Sequence, residues 1–437
     1  MPLTLIMALS AFAAYSVIPA CSAVLDPRSI QSETLNNGLR LIVAPDSETQ
    51  VVSAEIIVKV GSADEVPGQR GIAHLLEHVL WTSLDQYGND PRARVESVGG
   101  VINAGTLRDY TRFYATVPAS HANLALEAVS SFVLQAHVDQ TIIDREIRII
   151  AEESATRSED PRAVLNDLAF REVYGQSHPY SSPIQGSPQD LAAIDASRLM
   201  LFRQTWYSPN NMAVIVAGRT TFDEARAECV RLLGHLSPTP VPPRHRPEAT
   251  PPADRERIFD LPYDQAYVMA AFLGPSASEH GRVCASDLLA TILAHDLIGR
   301  LTIELQENRR IASAVGVDFL TQQDRSLFGV WSLCEPDCIF EVQEAIRAEL
   351  KKIAQQPMPP GELAAAKQLL AAGYIFANET PADRAATLGF YEAIDTYRAA
   401  SYYLSWVKYS HSTAVTDIAA SYSGDPIWII LCPEIEP

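Results

Sequence analysis

Residues 237–252, Ser-Pro-Thr-Pro-Val-Pro-Pro-Arg-His-Arg-Pro-Glu-Ala-Thr-Pro-Pro, carry seven prolines in sixteen positions. Each proline fixes φ and removes a backbone donor, so neither a helix nor an inner strand can run through this stretch. It reads as a stiff linker. The 437-residue chain is thereby cut into two parts of similar size, each long enough to bury its own core. The expected division is a leader over 1–23, an N-terminal domain over 24–236, a linker over 237–256 and a C-terminal domain over 257–437.

The two parts echo one another. In the first, Leu39–Val43 follows the Asn37-Gly38 turn signal, and Val51–Val60 is a second β-rich run. A helix with apolar positions at Ile72, Leu75, Leu76, Val79 and Leu80 comes next. Val101–Ala104 and Thr111–Val117 read as a strand pair, 120–136 and 139–157 as helices, and Met212–Ala217 as a closing strand. In the second, Gln265–Leu273 is a strand, 281–296 and 299–309 are helices, and Ile311–Phe319 and Ser326–Leu333 are strands. Helices over 337–356 and 360–376 and a last strand at Ile427–Leu431 complete it. This order predicts an α+β chain built by internal duplication: two homologous domains, each a mainly antiparallel sheet with helices packed on one face.

The helix after the second strand holds His74-Leu75-Leu76-Glu77-His78. Positions i and i+4 share a helix face, so the two imidazoles point the same way, with Glu77 close to that face. Two imidazoles and a nearby carboxylate suit a zinc ion and a water to be activated. The bland alternative is a helix with two partly buried, hydrogen-bonded histidines. A catalytic zinc needs a third protein ligand, and Glu153 is the candidate, 75 positions after His78 (153 − 78). In the helix over 139–157, Glu146, Ile150 and Glu153 fall at i, i+4 and i+7, so Glu146 shares the face of Glu153. Glu146 is expected to hold a histidine ring from behind. Glu152 points elsewhere and reads as a solvated residue.

Charge and leader bound the setting. The net charge is −19, from 34 basic and 53 acidic residues. That argues against a nucleic-acid partner. Residues 3–20 are almost wholly apolar and end in Ile18-Pro19-Ala20-Cys21-Ser22-Ala23. This predicts an exported protein, periplasmic in a bacterium, with cleavage after Ala23. Lipidation at Cys21 or a retained leader are the other two readings, and only these bring in a membrane. Cys334 and Cys338 could pair in an oxidising compartment, although buried free thiols are the simpler expectation.

These motifs resemble the pitrilysin-type inverzincin peptidases, the family of insulin-degrading enzyme and mitochondrial processing peptidase. The resemblance rests on the inverted histidine motif, the later glutamate and Gly99-Gly100-Val101-Ile102-Asn103-Ala104. It rests also on His178-Pro179-Tyr180, Pro183-Ile184-Gln185-Gly186 and Trp206-Tyr207-Ser208-Pro209-Asn210-Asn211-Met212. It is strong over the first part and only an outline over the second, and the length resembles the half-length, processing-peptidase-like branch. The resemblance implies one Zn²⁺ per chain on His74, His78 and Glu153, and Glu77 as general base. It implies that Asn103 and Ala104 lie on an edge strand that pairs with an extended, unfolded peptide.

One departure stands out. Active relatives carry an Arg and a Tyr seven positions apart in the second part; this chain has Gln306 and Ser313 there. A short alignment slip reaches Arg309 or Arg310, but no tyrosine occurs between Tyr267 and Tyr374. The expectation is therefore a zinc-bearing subunit whose homologous, zinc-less partner supplies the Arg/Tyr pair. Two other readings stand beside it: a non-catalytic structural or assembly subunit of the same fold, and a maturation peptidase dedicated to one precursor.

Overall fold

The computed structural model describes residues 25–433 except 86, 135–137, 245 and 261–263. The leader over 1–23, with Cys21, lies outside the described residues. Among the described residues no helix is long and apolar enough to cross a membrane.

Among the described residues eleven strands form two sheets. The first contains β1 (Gln31–Thr34), β2 (Arg40–Pro45), β3 (Val51–Val58), β4 (Val101–Thr106), β5 (Thr111–Pro118) and β6 (Met212–Gly218), in the order β1-β2-β6-β3-β5-β4. The second contains β7 (Glu256–Asp260), β8 (Ala266–Leu273), β9 (Ala312–Leu320), β10 (Leu327–Cys334) and β11 (Ile427–Cys432), in the order β7-β11-β8-β10-β9. Drop the β1 hairpin arm and the two orders coincide strand for strand. In each sheet one pair is parallel, β2 with β6 and β11 with β7, and the other pairs are antiparallel. The α+β duplication expected from the order of elements is present.

Each sheet buries one face under helices of its own half. Val52, Ala54, Ile56 and Val58 alternate on β3 with residues of the opposite face and meet Leu75, Leu76 and Val79 of the Ile72–Trp81 helix and Val129 and Phe132 of the Ala122–Leu134 helix. The second face takes a helix from the other half. Ala385, Leu388 and Ile394 of the Pro381–Ile394 helix pack on Ile42, Ile57 and Ile215. Reciprocally, Leu165, Phe170 and Val173 of the Pro161–Tyr174 helix pack on Met269, Ala271 and Ile429. Burying each of the Leu, Ile, Val, Phe and Met side chains among these stabilises by about 1.5–3 kcal/mol, so this exchange ties the halves together.

Several helices lie outside the sequence reading, Pro161–Tyr174 and Pro381–Ile394 among them, and three further local features differ from it. β1 and β7 are short edge strands with polar or mixed residues, which carry no clear apolar alternation. The helix expected over 299–309 is one α-turn, Arg300–Thr302, followed by the wider turn of Ile303–Asn308, in which Arg309 N–H reaches Glu304 O at 3.0 Å. It stops at Arg310, whose φ of 56° ends a helix. The proline-dense run is strapped to the first half: Arg246 bonds Ala63 O at 2.8 Å and Asp64 at 2.9 Å, and Thr250 N–H donates to Tyr174 O at 2.9 Å.

Candidate metal centre

The Ile72–Trp81 helix starts at Gly71, which has φ 91° and no side chain with which to cap. Glu65 from the preceding loop takes over that role. Its two oxygens accept from Gly71 N–H at 2.8 Å and Ala73 N–H at 2.9 Å, two of the donors every helix start leaves unpaired. Burial pushes the Glu65 carboxyl up to about 8, against the pull of those two donors. A Cβ on Gly71 would come within 2.5 Å of Gln185 O, and one on Gly186 would collide with Arg70 O. The Pro183–Gly186 loop therefore locks the start of the helix, with glycine required on both sides.

From this seat His74 and His78 extend side by side, ring centroids 4.6 Å apart. The Gln140–Ser158 helix begins with Asp139, whose side chain caps Thr141 N–H. It crosses so that Glu153 meets both rings: Glu153 Oε2 lies 3.5 Å from His78 Nε2 and 4.0 Å from His74 Nε2. Seven residues earlier, Glu146 is buried and its Oε2 is 3.3 Å from His78 Nδ1. Arg145 sits 2.8 Å from the other Glu146 oxygen. Glu152 is exposed.

The donor set fits a tetrahedral zinc. Bonds of about 2.0–2.1 Å at tetrahedral angles place ligand atoms roughly 3.3–3.5 Å apart, and the three candidate ligand atoms all fall within 4.8 Å of one another. Burial, reinforced by His78, lowers His74 to about 3, so its imidazole is neutral and its lone pair available. Glu153 is half exposed (47%), which leaves solvent access on its side of the group.

Glu77 is buried (8% exposed) and its Oε2 accepts from the Thr106 hydroxyl at 3.1 Å. Burial pushes its carboxyl up to about 7, opposed by His78 and Thr106. Thr106 ends β4, which forms one edge of the first sheet. Ile102 and Ala104 pack toward the helices on the face that Thr106 shares, while Asn103 is exposed on the opposite face. The Asn103 side-chain oxygen accepts from Ala104 N–H at 2.8 Å. Sequence reading missed Glu65 and Thr106. Thr106 had a signal, two residues beyond Ala104 at the period of a strand; Glu65 had none.

In the second half Gln306 and Ser313 are neighbours, Gln306 Nε2 donating to Ser313 O at 2.8 Å. Arg309 is committed to Glu304 at 2.7 Å. All five cysteines of the described residues, Cys229, Cys284, Cys334, Cys338 and Cys432, are free.

A duplicated α+β fold with an inverted histidine motif and a convergent glutamate defines a class of metallopeptidase-like chains. Residues 40–186 match the model of insulinase (peptidase family M16), and residues 193–370 that of the peptidase M16 inactive domain. An uncharacterized zinc protease of Mycobacterium leprae is 30% identical over 355 residues, 79% of this chain and 78% of that protein. The chain belongs to the pitrilysin-type M16 family of metallopeptidases. A protease from Helicobacter pylori has a similar structure, with TM-score 0.86 and 24% identity over 92% of this chain and 99% of that one. A Pseudomonas fluorescens structure described as a peptidase M16 inactive domain has TM-score 0.82 and 18% identity over 93% and 100%.

Proposed function

We propose that this chain is a zinc-dependent endopeptidase that hydrolyses unfolded peptides, holding one Zn²⁺ on His74, His78 and Glu153. The observation that carries the reading is the convergence of these three side chains from two separate helices, with Glu77 beside them in hydrogen-bond contact with Thr106. When bound, the ion supplies Lewis acidity, making water nucleophilic near neutral pH and polarising a peptide carbonyl. Glu77 takes the proton from the attacking water and later passes it to the leaving amine. The Thr106 hydroxyl fixes one Glu77 oxygen and leaves the other for that proton. Glu146 orients the His78 ring. β4, with Asn103 and Ala104, offers the sheet edge to which an extended peptide adds as a further strand.

Gln306 and Ser313 support a division of labour. Neither supplies the cation and phenol that stabilise a developing oxyanion, a loss worth about 10²–10³ in rate. A homologous, zinc-less subunit would provide the Arg/Tyr pair across a shared chamber. The same two residues favour a second reading, a non-catalytic structural or assembly subunit of the same fold. The apolar leader favours an exported, periplasmic setting.

Metal analysis joined to a peptide-cleavage assay tests the proposal. The expected result is one zinc per chain, lost in Glu153→Gln, and cleavage of an unfolded reporter peptide that rises when a co-purified homologous subunit is added. A chain without stoichiometric zinc overturns the peptidase reading. Full activity of the isolated chain overturns the two-subunit reading.

A further inference from the structure

A cavity of about 680 Å³ lies between the two halves. Its wall includes two residues close in the chain to the metal-ligand group: Leu107, which follows Thr106, and Arg157, one helical turn beyond Glu153. It also includes Asp287, Tyr391 and Tyr403 of the second half.

The charges along this cavity are not equivalent. Arg108 and Arg157 share one carboxylate, Asp167, at 3.8 Å and 3.0 Å, Arg108 also lies over the Phe170 ring, and Arg112 pairs with Glu55 at 2.8 Å. Asp109 accepts from Tyr180 at 2.6 Å and has Arg246 at 3.6 Å, and His280 is 2.7 Å from Asp395. Asp287 differs. Its carboxylate accepts one hydrogen bond, from the Tyr403 hydroxyl at 2.7 Å, and it has no ion-pair partner among the described residues. The Tyr391 hydroxyl makes no hydrogen bond among them either. Tyr374 stacks on Tyr403 with centroids 4.7 Å apart, and Phe390 meets Tyr391 edge-on at 5.2 Å.

A carboxylate removed from water with no cation beside it is costly, and a cation brought to it relieves that cost. Aromatic walls add attraction for a cation over their faces. We propose that this recess binds the side chain of a lysine or arginine in the substrate peptide, with Asp287 as its counter-ion and Tyr391 and Tyr403 flanking it. The assignment rests on the peptidase reading and gives it a substrate preference. Asp287 acts here as a specificity residue at a distance from the cleaved bond. At the recess itself the unpaired carboxylate is that of Asp287, so the preference assigned to it runs toward basic side chains.

Binding to the Glu77→Gln chain tests this without turnover. The probes are fluorescent unfolded peptides carrying one arginine at successive positions in a neutral sequence, each matched by a copy with citrulline, its uncharged isostere. The expected result is an arginine preference of about tenfold or more at one register. Adding Asp287→Asn should erase the preference and leave citrulline-peptide affinity unchanged. Should the Asn variant fold poorly, Tyr391→Phe, which removes only a hydroxyl, should reduce the preference by about threefold. An equal arginine preference with and without the Asp287 carboxylate, or none at any register, overturns the proposal. Tighter binding of agmatine than of any arginine peptide assigns the recess to a free amine and overturns the peptide assignment. A chain that binds arginine peptides through Asp287 but never cleaves them sinks the peptidase reading and leaves the recess standing; cleavage without an arginine preference does the reverse.

Discussion

Glu146 Oε2 lies 3.3 Å from Nδ1 of His78, behind the ring whose Nε2 faces Glu153 at 3.5 Å. The buried carboxylate therefore selects the tautomer with hydrogen on Nδ1 and directs the Nε2 lone pair outward. Replacing Glu146 by Gln keeps the volume and removes the charge. Zinc affinity should fall by about 10–100-fold, measured by competition with a chromophoric chelator, while the thermal midpoint of the apoprotein moves little.

Glu77 separates metal binding from chemistry. Glu77→Gln should retain one zinc per chain and lose about 10²–10⁴ in kcat, read by metal analysis and reporter-peptide cleavage on the same sample. Thr106→Val, which removes the hydroxyl 3.1 Å from Glu77, should lower kcat by a smaller factor with KM unchanged. Zinc lost together with activity in Glu77→Gln would contradict the assigned role.

Glu65 caps the motif helix in place of a side chain that Gly71 lacks. Glu65→Ala leaves the Gly71 and Ala73 donors buried without partners. It should cost about 1–3 kcal/mol, seen as a lower urea midpoint, and should weaken zinc retention because His74 follows Ala73 directly. An unchanged midpoint would show that the helix start is held by the Gln185–Gly186 loop alone.

Asp287 makes stability depend on pH. Burial raises its carboxyl from 3.8 to about 7, opposed by the Tyr403 hydroxyl. Between those values the folded state binds the proton and the unfolded state has released it, so stability falls as pH rises through this window. The difference in thermal midpoint between the wild type and Asp287→Asn should therefore shift in favour of the variant from pH 4 to pH 7.5. A pH-independent difference would mean that Asp287 titrates alike in both states.

The motif helix and the glutamate helix were legible because spacing on a helix is one-dimensional information. His74 and His78 at i, i+4, and Glu146 and Glu153 at i, i+7, need only the 3.6-residue period to be placed on a face. The duplication was legible from the order of apolar runs, and the strand order repeats it. The polar edge strands β1 and β7 were not legible, since an edge takes its pairing from a neighbour and not from its own apolar pattern. Neither was the wide turn over Ile303–Asn308.

Local periodicity and residue chemistry were thus enough for the two-part α+β plan and for setting His74 with His78, and Glu146 with Glu153, on single helix faces. Only the tertiary structure decided what surrounds them. Glu65 reaches the motif helix from a loop, Thr106 reaches Glu77 from a sheet edge, and each half lends a helix to the other's sheet. Such contacts join residues far apart in the chain, and their distances depend on how whole layers pack, a property that no window of neighbouring residues contains.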